Sequence, residues 1–252
     1  MAYRSTERTE QHRLAREAAL ISAGVELVAE SGFAAATIAG VAGRAGVSAG
    51  TVYTYFPDKL ALTAAIFDRA AGIELGVVRE AVSFGTEDRL AMPAFDRFDA
   101  LVRAFGARAL RGRTLAMALL FEPADVAVER ERLVFRRAYT ETVTEILADG
   151  LAEGTLTEQR IDLIAPAIVG ALGEAFIRPL EPTVGIAAVD PDPAFDPDPA
   201  AYPAADPHLA NRDPQNFTDG ESAEITAVLD HIVAATQRLA GFAPAFPTGD
   251  PR

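Results

Sequence analysis

The stretch GVSAGTVYTYFPDK at residues 46–59 constrains the fold of this chain more than any other. Gly46 ends one short helical pattern, Ser48 can cap a second, and Pro57 stops that second helix. The side chains between these limits are mostly small or carry hydroxyl groups. A core helix would carry leucines here, and a solvated helix would carry charges. This composition therefore predicts a short helix with one face free to contact another molecule.

A second short helix precedes this one, and the pair predicts a helix-turn-helix. Thr37 is a candidate N-cap for residues 38–45, IAGVAGRA. Ala42 is small enough for the helices to approach closely, and Gly46 permits a left-handed turn between them. The positions that close a small core are Val41, Ala45, Val47, Val52 and Tyr55. The positions left facing outward are Ala49, Gly50, Thr51, Tyr53 and Thr54. Small side chains on this face would let a helix backbone enter the major groove of DNA, where hydroxyl groups can bind phosphates.

Helical periodicity also dominates the rest of the chain, and no segment alternates convincingly at a period of two. The sequence therefore predicts an all-α fold. The predicted helices cover residues 10–31, 38–45, 48–56, 59–82, 93–111, 114–122, 126–152, 160–179 and 221–241.

Residues 181–220 differ in composition from the rest of the chain. They hold eight of the sixteen prolines and seven aspartates but one arginine, with too few apolar groups to offset the entropy of ordering. This predicts an extended or mobile loop. Because the aspartates lack the glycine and terminal glutamate of a calcium-binding loop, we expect an acidic linker rather than a metal site.

Composition excludes several classes of function. The chain has no cysteine, and its histidines, His12, His208 and His231, form no pair at metal-ligand spacing, so no metal or other cofactor is expected. No glycine-rich phosphate loop, H-E-x-x-H motif or histidine beside a nucleophile points to an enzyme. The chain has no run of eighteen apolar residues and no signal peptide, which predicts a cytoplasmic protein without a membrane partner.

The net charge of −13 is unevenly distributed. Residues 1–60 hold six basic and six acidic groups, whereas residues 61–252 hold 17 basic and 30 acidic groups. An acidic body repels DNA, but a neutral amino-terminal part can still contact it.

The segment TIAGVAGRAGVSAGTVYTYFPDKLAL resembles the DNA-binding region of the TetR family of bacterial transcriptional regulators. The resemblance extends over residues 10–70 and includes the Gly-Phe pair after the first helix, the threonine cap, the glycine turn and the Asp-Lys pair. It implies a three-helix head that binds double-stranded operator DNA and, at residues 71–252, a helical ligand-binding and dimerisation domain.

The resemblance also implies which residues contact DNA. The candidate DNA-binding residues are Thr37, Arg44, Ser48, Ala49, Gly50, Thr51, Tyr53, Thr54, Tyr55 and Lys59. Tyr55 is expected to pack inward with only its hydroxyl reaching the duplex, and Arg44 is an additional contact that the motif does not require. Ala49 and Gly50 offer no long hydrogen-bonding side chain, so base specificity is expected to depend on Thr51, thymine methyl groups and DNA shape.

The larger domain is expected to supply a homodimer interface and a ligand cavity. The helices at 160–179 and 221–241 are the candidates for the interface, because they are apolar and carry small residues. The candidate cavity residues are Phe98, Phe105, Met117, Phe121, Phe135, Tyr139 and Glu174. Aromatic residues at helical spacing also form ordinary core, and Glu174 could instead lie at the edge of the dimer seam.

These observations predict a sequence-specific DNA-binding transcriptional regulator, in the family's commoner mode a repressor that an unknown small-molecule effector releases from its operator. The alternative is a helical ligand-binding or adaptor protein whose head no longer binds DNA. The salt dependence of DNA affinity separates the two, because phosphate contacts give a steep negative slope.

Overall fold

The computed structural model describes residues 2–83, 92–180 and 219–242. In chain order, the α-helices of these residues are α1 (Ala2–Ser31), α2 (Ile38–Arg44), α3 (Ala49–Tyr55), α4 (Lys59–Ser83), α5 (Ala94–Arg111), α6 (Arg113–Leu120), α7 (Val126–Ala152), α8 (Ile161–Ala175), α9 (Ile177–Leu180) and α10 (Asp219–Ala240). The only extended pairing in the described part is an isolated bridge between Leu156 and Phe242, so the all-α prediction is confirmed.

Helices α1 to α3 form a small head whose local structure follows from its caps. The Thr37 hydroxyl accepts a hydrogen bond from the Gly40 amide at the start of α2, and the Ser48 hydroxyl accepts one from the Thr51 amide at the start of α3. Between the two helices, Gly46 adopts a φ of 65°, the left-handed conformation expected for this turn. The head is thus a helix-turn-helix.

Two hydrophobic cores lie along the molecule, and α4 contributes to both. The first lies under the head, where the fully buried Val41 and Val52 belong to one cluster with Ala118 and Leu119 of α6. The second fills the larger helical region and includes residues of α5, α7, α8 and α10. Since α4 runs past residue 70 without a break, the head and the larger region share a continuous helix. The predicted division of the chain at residue 70 stays a prediction.

Two predicted helices are wrong in their extent. The first, predicted over 10–31, begins at Ala2 in the structure. The second is predicted over 160–179, where the structure instead has α8 and the separate four-residue α9, with Phe176 between them. Pro179 explains the break, because it has no amide hydrogen to donate and its ring would clash with the carbonyl group of Ala175 in a continuous helix.

The predicted loop at 181–220 lies outside the described residues, apart from Asp219 and Gly220, which begin α10. The stretch Ile161–Leu180 is long and apolar enough, by length and composition alone, to cross a membrane. Only 28% of its apolar window is buried inside the molecule. One side of this helical stretch is therefore an apolar surface that the described residues leave uncovered.

Candidate nucleic-acid interface and ligand cavity

The outward face of α3 carries small and hydroxyl-bearing residues. Ala49, Gly50 and Thr54 are exposed, and the Tyr53 side chain is 55% exposed. Thr51 is half-buried, and its hydroxyl lies 3.0 Å from that of Ser48 in a mutual hydrogen bond. These groups present donors and acceptors to solvent on a helix whose opposite face is closed by a core.

Two further candidates flank this face at helix starts. Thr37 is exposed at the start of α2, and Lys59 is exposed as the first residue of α4. Asp58 accepts a hydrogen bond from the Ala61 amide at 2.8 Å, which fixes the backbone at Lys59. Lys59 is also the only lysine in the sequence. Tyr55 is half-buried against the core of the head.

Arg44 lies on the exposed side of the head but is already paired. Its guanidinium donates hydrogen bonds to Glu30 at 2.9 Å and to Glu26 at 3.3 Å, both on α1. The hydrogen bond from Arg44 lowers the pKa of the Glu30 carboxyl, so this pair is charged at neutral pH. A DNA phosphate would have to compete with two carboxylates for Arg44.

A cavity of about 330 Å³ lies between α4, α5, α6 and α7. Its apolar lining consists of Phe67, Ala71, Val78, Phe105, Ala109, Leu115, Ala116, Leu119, Leu120 and Phe135. Its polar lining consists of Glu74, Arg108, Arg111, Arg132, Arg136 and Tyr139. No group of three or more metal-ligating side chains lies together in the described ranges.

Three of the seven candidate cavity residues line this cavity, namely Phe105, Phe135 and Tyr139. The other four do not. Phe98 is fully buried in the larger core, Met117 and Phe121 pack at its edge, and Glu174 is exposed on α8.

The charged residues of the cavity are not among the sequence-based candidates, whose only member in the polar lining is Tyr139. Arg108 on α5 donates a hydrogen bond of 2.7 Å to Glu74 on α4, although the two are 34 residues apart. Burial raises the pKa of the Tyr139 hydroxyl, and the Glu74 carboxylate adds to the effect. A local signal for Arg108 existed, because it lies three residues after Phe105 and therefore on the same helix face. Its pairing with Glu74 carries no such signal.

The sequence comparison identifies the head. Residues 20–66 match the sequence model of the bacterial regulatory proteins of the tetR family. The predicted resemblance to that family is therefore confirmed. No curated protein matches the chain.

Solved structures with the same fold extend over most of the chain. The transcriptional regulator FadR from Bacillus subtilis in complex with stearoyl-CoA aligns with a TM-score of 0.57 and 18% identity, over 86% of this chain and 97% of that one. A putative transcriptional regulator from Pseudomonas aeruginosa PAO1 aligns with a TM-score of 0.56 and 19% identity, over 90% and 95%. A TetR-like transcriptional regulator from Rhodococcus sp. RHA1 gives 0.56 and 18%, over 90% and 96%. The common fold thus includes the larger helical region as well as the head.

Proposed function

We propose that this chain, a transcriptional regulator whose residues 20–66 form the DNA-binding domain of the TetR family, binds operator DNA as a homodimer. A small molecule in the cavity lowers its affinity for that DNA. The matched family consists of regulatory proteins, and the proteins of the same fold are transcriptional regulators. The chain is accordingly not an enzyme. Its work as a regulator of transcription accords with a cytoplasmic location.

The exposed face of α3 is the observation that carries the DNA-binding proposal. The hydroxyl groups of Ser48, Thr51 and Tyr53 surround the start of a helix whose small residues let the backbone approach base edges. Thr37 and Lys59, at the starts of the flanking helices, contact phosphates. The negative charge of the chain lies outside the head, so the protein as a whole is not attracted to DNA. Binding therefore requires that the head face the duplex.

The dimer interface that we propose is formed by the uncovered sides of α8 and α10. Leu163 on α8 and Leu239 on α10 are exposed although they are large and apolar. A Cβ atom at Gly170 or Gly173 would meet nothing within 4 Å, so the described part of the chain leaves space at both glycines. A second copy packed on this face would bury the apolar side of α8 and use that space for close helix contact. A two-fold axis there would place two α3 helices on one face of the duplex, about 34–36 Å apart.

The effector that the cavity favours has an apolar body and a polar or charged group. Most of the wall is aromatic or aliphatic, while Glu74, Arg108 and Tyr139 provide directional bonds on one side. The Bacillus subtilis FadR structure contains stearoyl-CoA, a molecule of this general type, which supports the proposal.

The test of DNA binding is selection of fragments from a genomic pool by the purified full-length protein, followed by affinity measurements at several salt concentrations. We expect one or a few enriched sites with two-fold symmetry and a steep loss of affinity with salt. The double variant Tyr53→Phe, Lys59→Ala should bind those sites more weakly. Arg137→Ala, an exposed change on α7, is the matched control and should bind like wild type. Equal binding by wild type and the double variant would contradict the assignment.

A further inference from the structure

A carboxylate from the larger helical region holds the backbone of the head. Glu122, in the turn after α6, accepts hydrogen bonds from the amides of Phe33 at 2.9 Å and Ala34 at 3.3 Å. These amides begin the short turn after α1 and have no earlier helical carbonyl as partner. Gly32 lies directly beside them with a φ of 73°, and a Cβ there would lie 2.6 Å from a Glu122 carboxylate oxygen. The contact is therefore close and depends on where the turn carries Glu122.

Arg132 on α7 fixes the position of that turn. Its guanidinium donates to the carbonyl oxygens of Leu119 at 2.9 Å, Ala118 at 3.2 Å and Glu122 at 2.9 Å. Its side chain is only 13% exposed and lies over the ring of Phe67 on α4. One side chain thus binds the last carbonyl groups of α6 and the backbone of the residue that holds the head.

Arg132 also belongs to the wall of the cavity, together with its neighbour Phe67. The turn has a further attachment on α4, where the Thr63 hydroxyl donates to Asp125 at 2.7 Å. Asp125 also caps α7 by accepting from the amides of Ala127 and Val128. Since these bonds hold one end of the turn, a shift of Arg132 would move chiefly the Glu122 end.

We infer that Arg132 and Glu122 form a latch that transmits the state of the cavity wall to the DNA-binding head. Arg132 is a positioning residue in this latch: a change in its bonding displaces the Glu122 backbone, and Glu122 then releases the amides of Phe33 and Ala34. The inference rests on the proposed function, because it assigns the route by which an occupant of the cavity alters the head. An acceptor group brought in by an occupant would compete for the guanidinium with the three carbonyls and with the Glu129 carboxylate, to which Arg132 also donates a hydrogen bond.

Hydrogen exchange of the full-length protein tests the latch without any effector or DNA. The measured quantity is the exchange rate of the Phe33 and Ala34 amides. We expect Glu122→Ala to raise it about ten- to one-hundredfold, as loss of a hydrogen bond to a charged group does. Arg132→Met, which keeps an apolar stem but removes the donors, should raise it in the same direction although it lies in the cavity wall. Arg130→Met and Glu131→Ala, two substitutions on the same helix, are the matched controls and should leave both amides at the wild-type rate.

The double variant separates a latch from a general loss of stability. If Arg132 acts through Glu122, adding Arg132→Met to Glu122→Ala should change the two amides no further. Additive effects, or wild-type protection of the amides in Arg132→Met, would overturn the inference. The exchange of core amides such as those of Leu101 and Ile146 reports any global destabilisation in the same experiment. Should Arg132→Met fail to fold, Glu122→Gln and Arg132→Lys replace the pair with milder changes and the same expected non-additivity.

The hydrogen-exchange test of the latch and the DNA-selection test of the proposed function can fail independently. If no genomic fragment is selected by wild type while the exchange results hold, the latch exists in a protein that does not bind DNA. If fragments are selected but Arg132→Met leaves the exchange rates of the Phe33 and Ala34 amides unchanged, DNA binding stands and only the latch is wrong.

Discussion

At the scale of single residues, the proposed DNA surface combines hydroxyl groups with very little free positive charge. Tyr53 and Ser48 are exposed, Lys59 lies at a helix start, and Arg44 is held by carboxylates on α1. Binding by such a surface depends on fit and on charge-assisted bonds at a few positions rather than on a basic patch.

Chemical modification of Lys59 can report directly whether this residue contacts DNA. Because it is the only lysine, Lys59 is the only side-chain amine that an acetylating reagent can modify. We expect a selected operator fragment to protect Lys59 from acetylation, as measured by mass spectrometry of the digested protein. A fragment of unrelated sequence at the same concentration is the control and should protect it less. Undiminished acetylation in the operator complex would place Lys59 away from the phosphates.

Neutralising the partners of Arg44 should strengthen DNA binding. Glu26→Gln with Glu30→Gln removes two repulsive charges and frees the guanidinium for a phosphate, so we expect affinity to rise about three- to tenfold at low salt and the salt dependence to steepen by about one counterion. Glu131→Gln with Glu141→Gln makes the same charge change on α7 and is the control. Because the pKa of Glu30 is lower in the folded protein, its ionised carboxylate stabilises the folded state at every pH above the unfolded-state pKa. That contribution is lost only as the pH falls through the acid range.

At the scale of elements, the sequence predicted the head well because its boundaries are set locally. Thr37, Ser48 and Pro57 determine the ends of α2 and α3 through bonds within a few residues. The polar side of the cavity depends instead on where α4, α5 and α7 meet. The hydrogen bond between Glu74 and Arg108 results from tertiary packing, and no local sequence pattern predicts it.

Helix packing at Gly106 gives a prediction for the same scale. Gly106 lies where α5 meets α10 and the segment after α8, and a Cβ there would overlap Leu229 and lie 2.5 Å from the Phe176 ring. Gly106→Ala should therefore destabilise the protein by about 1–2 kcal/mol despite the better helix propensity of alanine. Gly76→Ala on α4 is the matched control, because a Cβ there meets nothing within 4 Å. It should stabilise the protein by about 0.5–1 kcal/mol. Chemical denaturation measures both, and stabilisation by Gly106→Ala would show that the side chains make room.

At the scale of the whole molecule, α8 and α10 carry large apolar side chains that the rest of the described chain does not cover. Leu163 on α8 and Leu239 on α10 remain exposed. Exposed apolar residues on two neighbouring helices are the basis of the dimer proposal, because large apolar patches on protein surfaces are typical of interfaces. A dimer would bury this surface and would also join two heads, each of which offers only one short α3 to DNA.

The dimer proposal predicts that one added side chain separates two functions. Gly170→Arg places a long charged group where the described residues leave open space, so the chain should still fold and keep its helical circular-dichroism spectrum. Burial of that charge against a second copy would be costly, and we expect sedimentation to show a monomer where wild type is a dimer. Operator affinity should then fall about a hundredfold or more, because the second head no longer binds at the high effective concentration that the dimer provides. Ala148→Arg, an exposed change on α7, is the control and should preserve both the dimer and the affinity. A Gly170→Arg protein that remains dimeric would place the interface elsewhere, whereas a monomer with wild-type affinity would mean that one head suffices for operator binding.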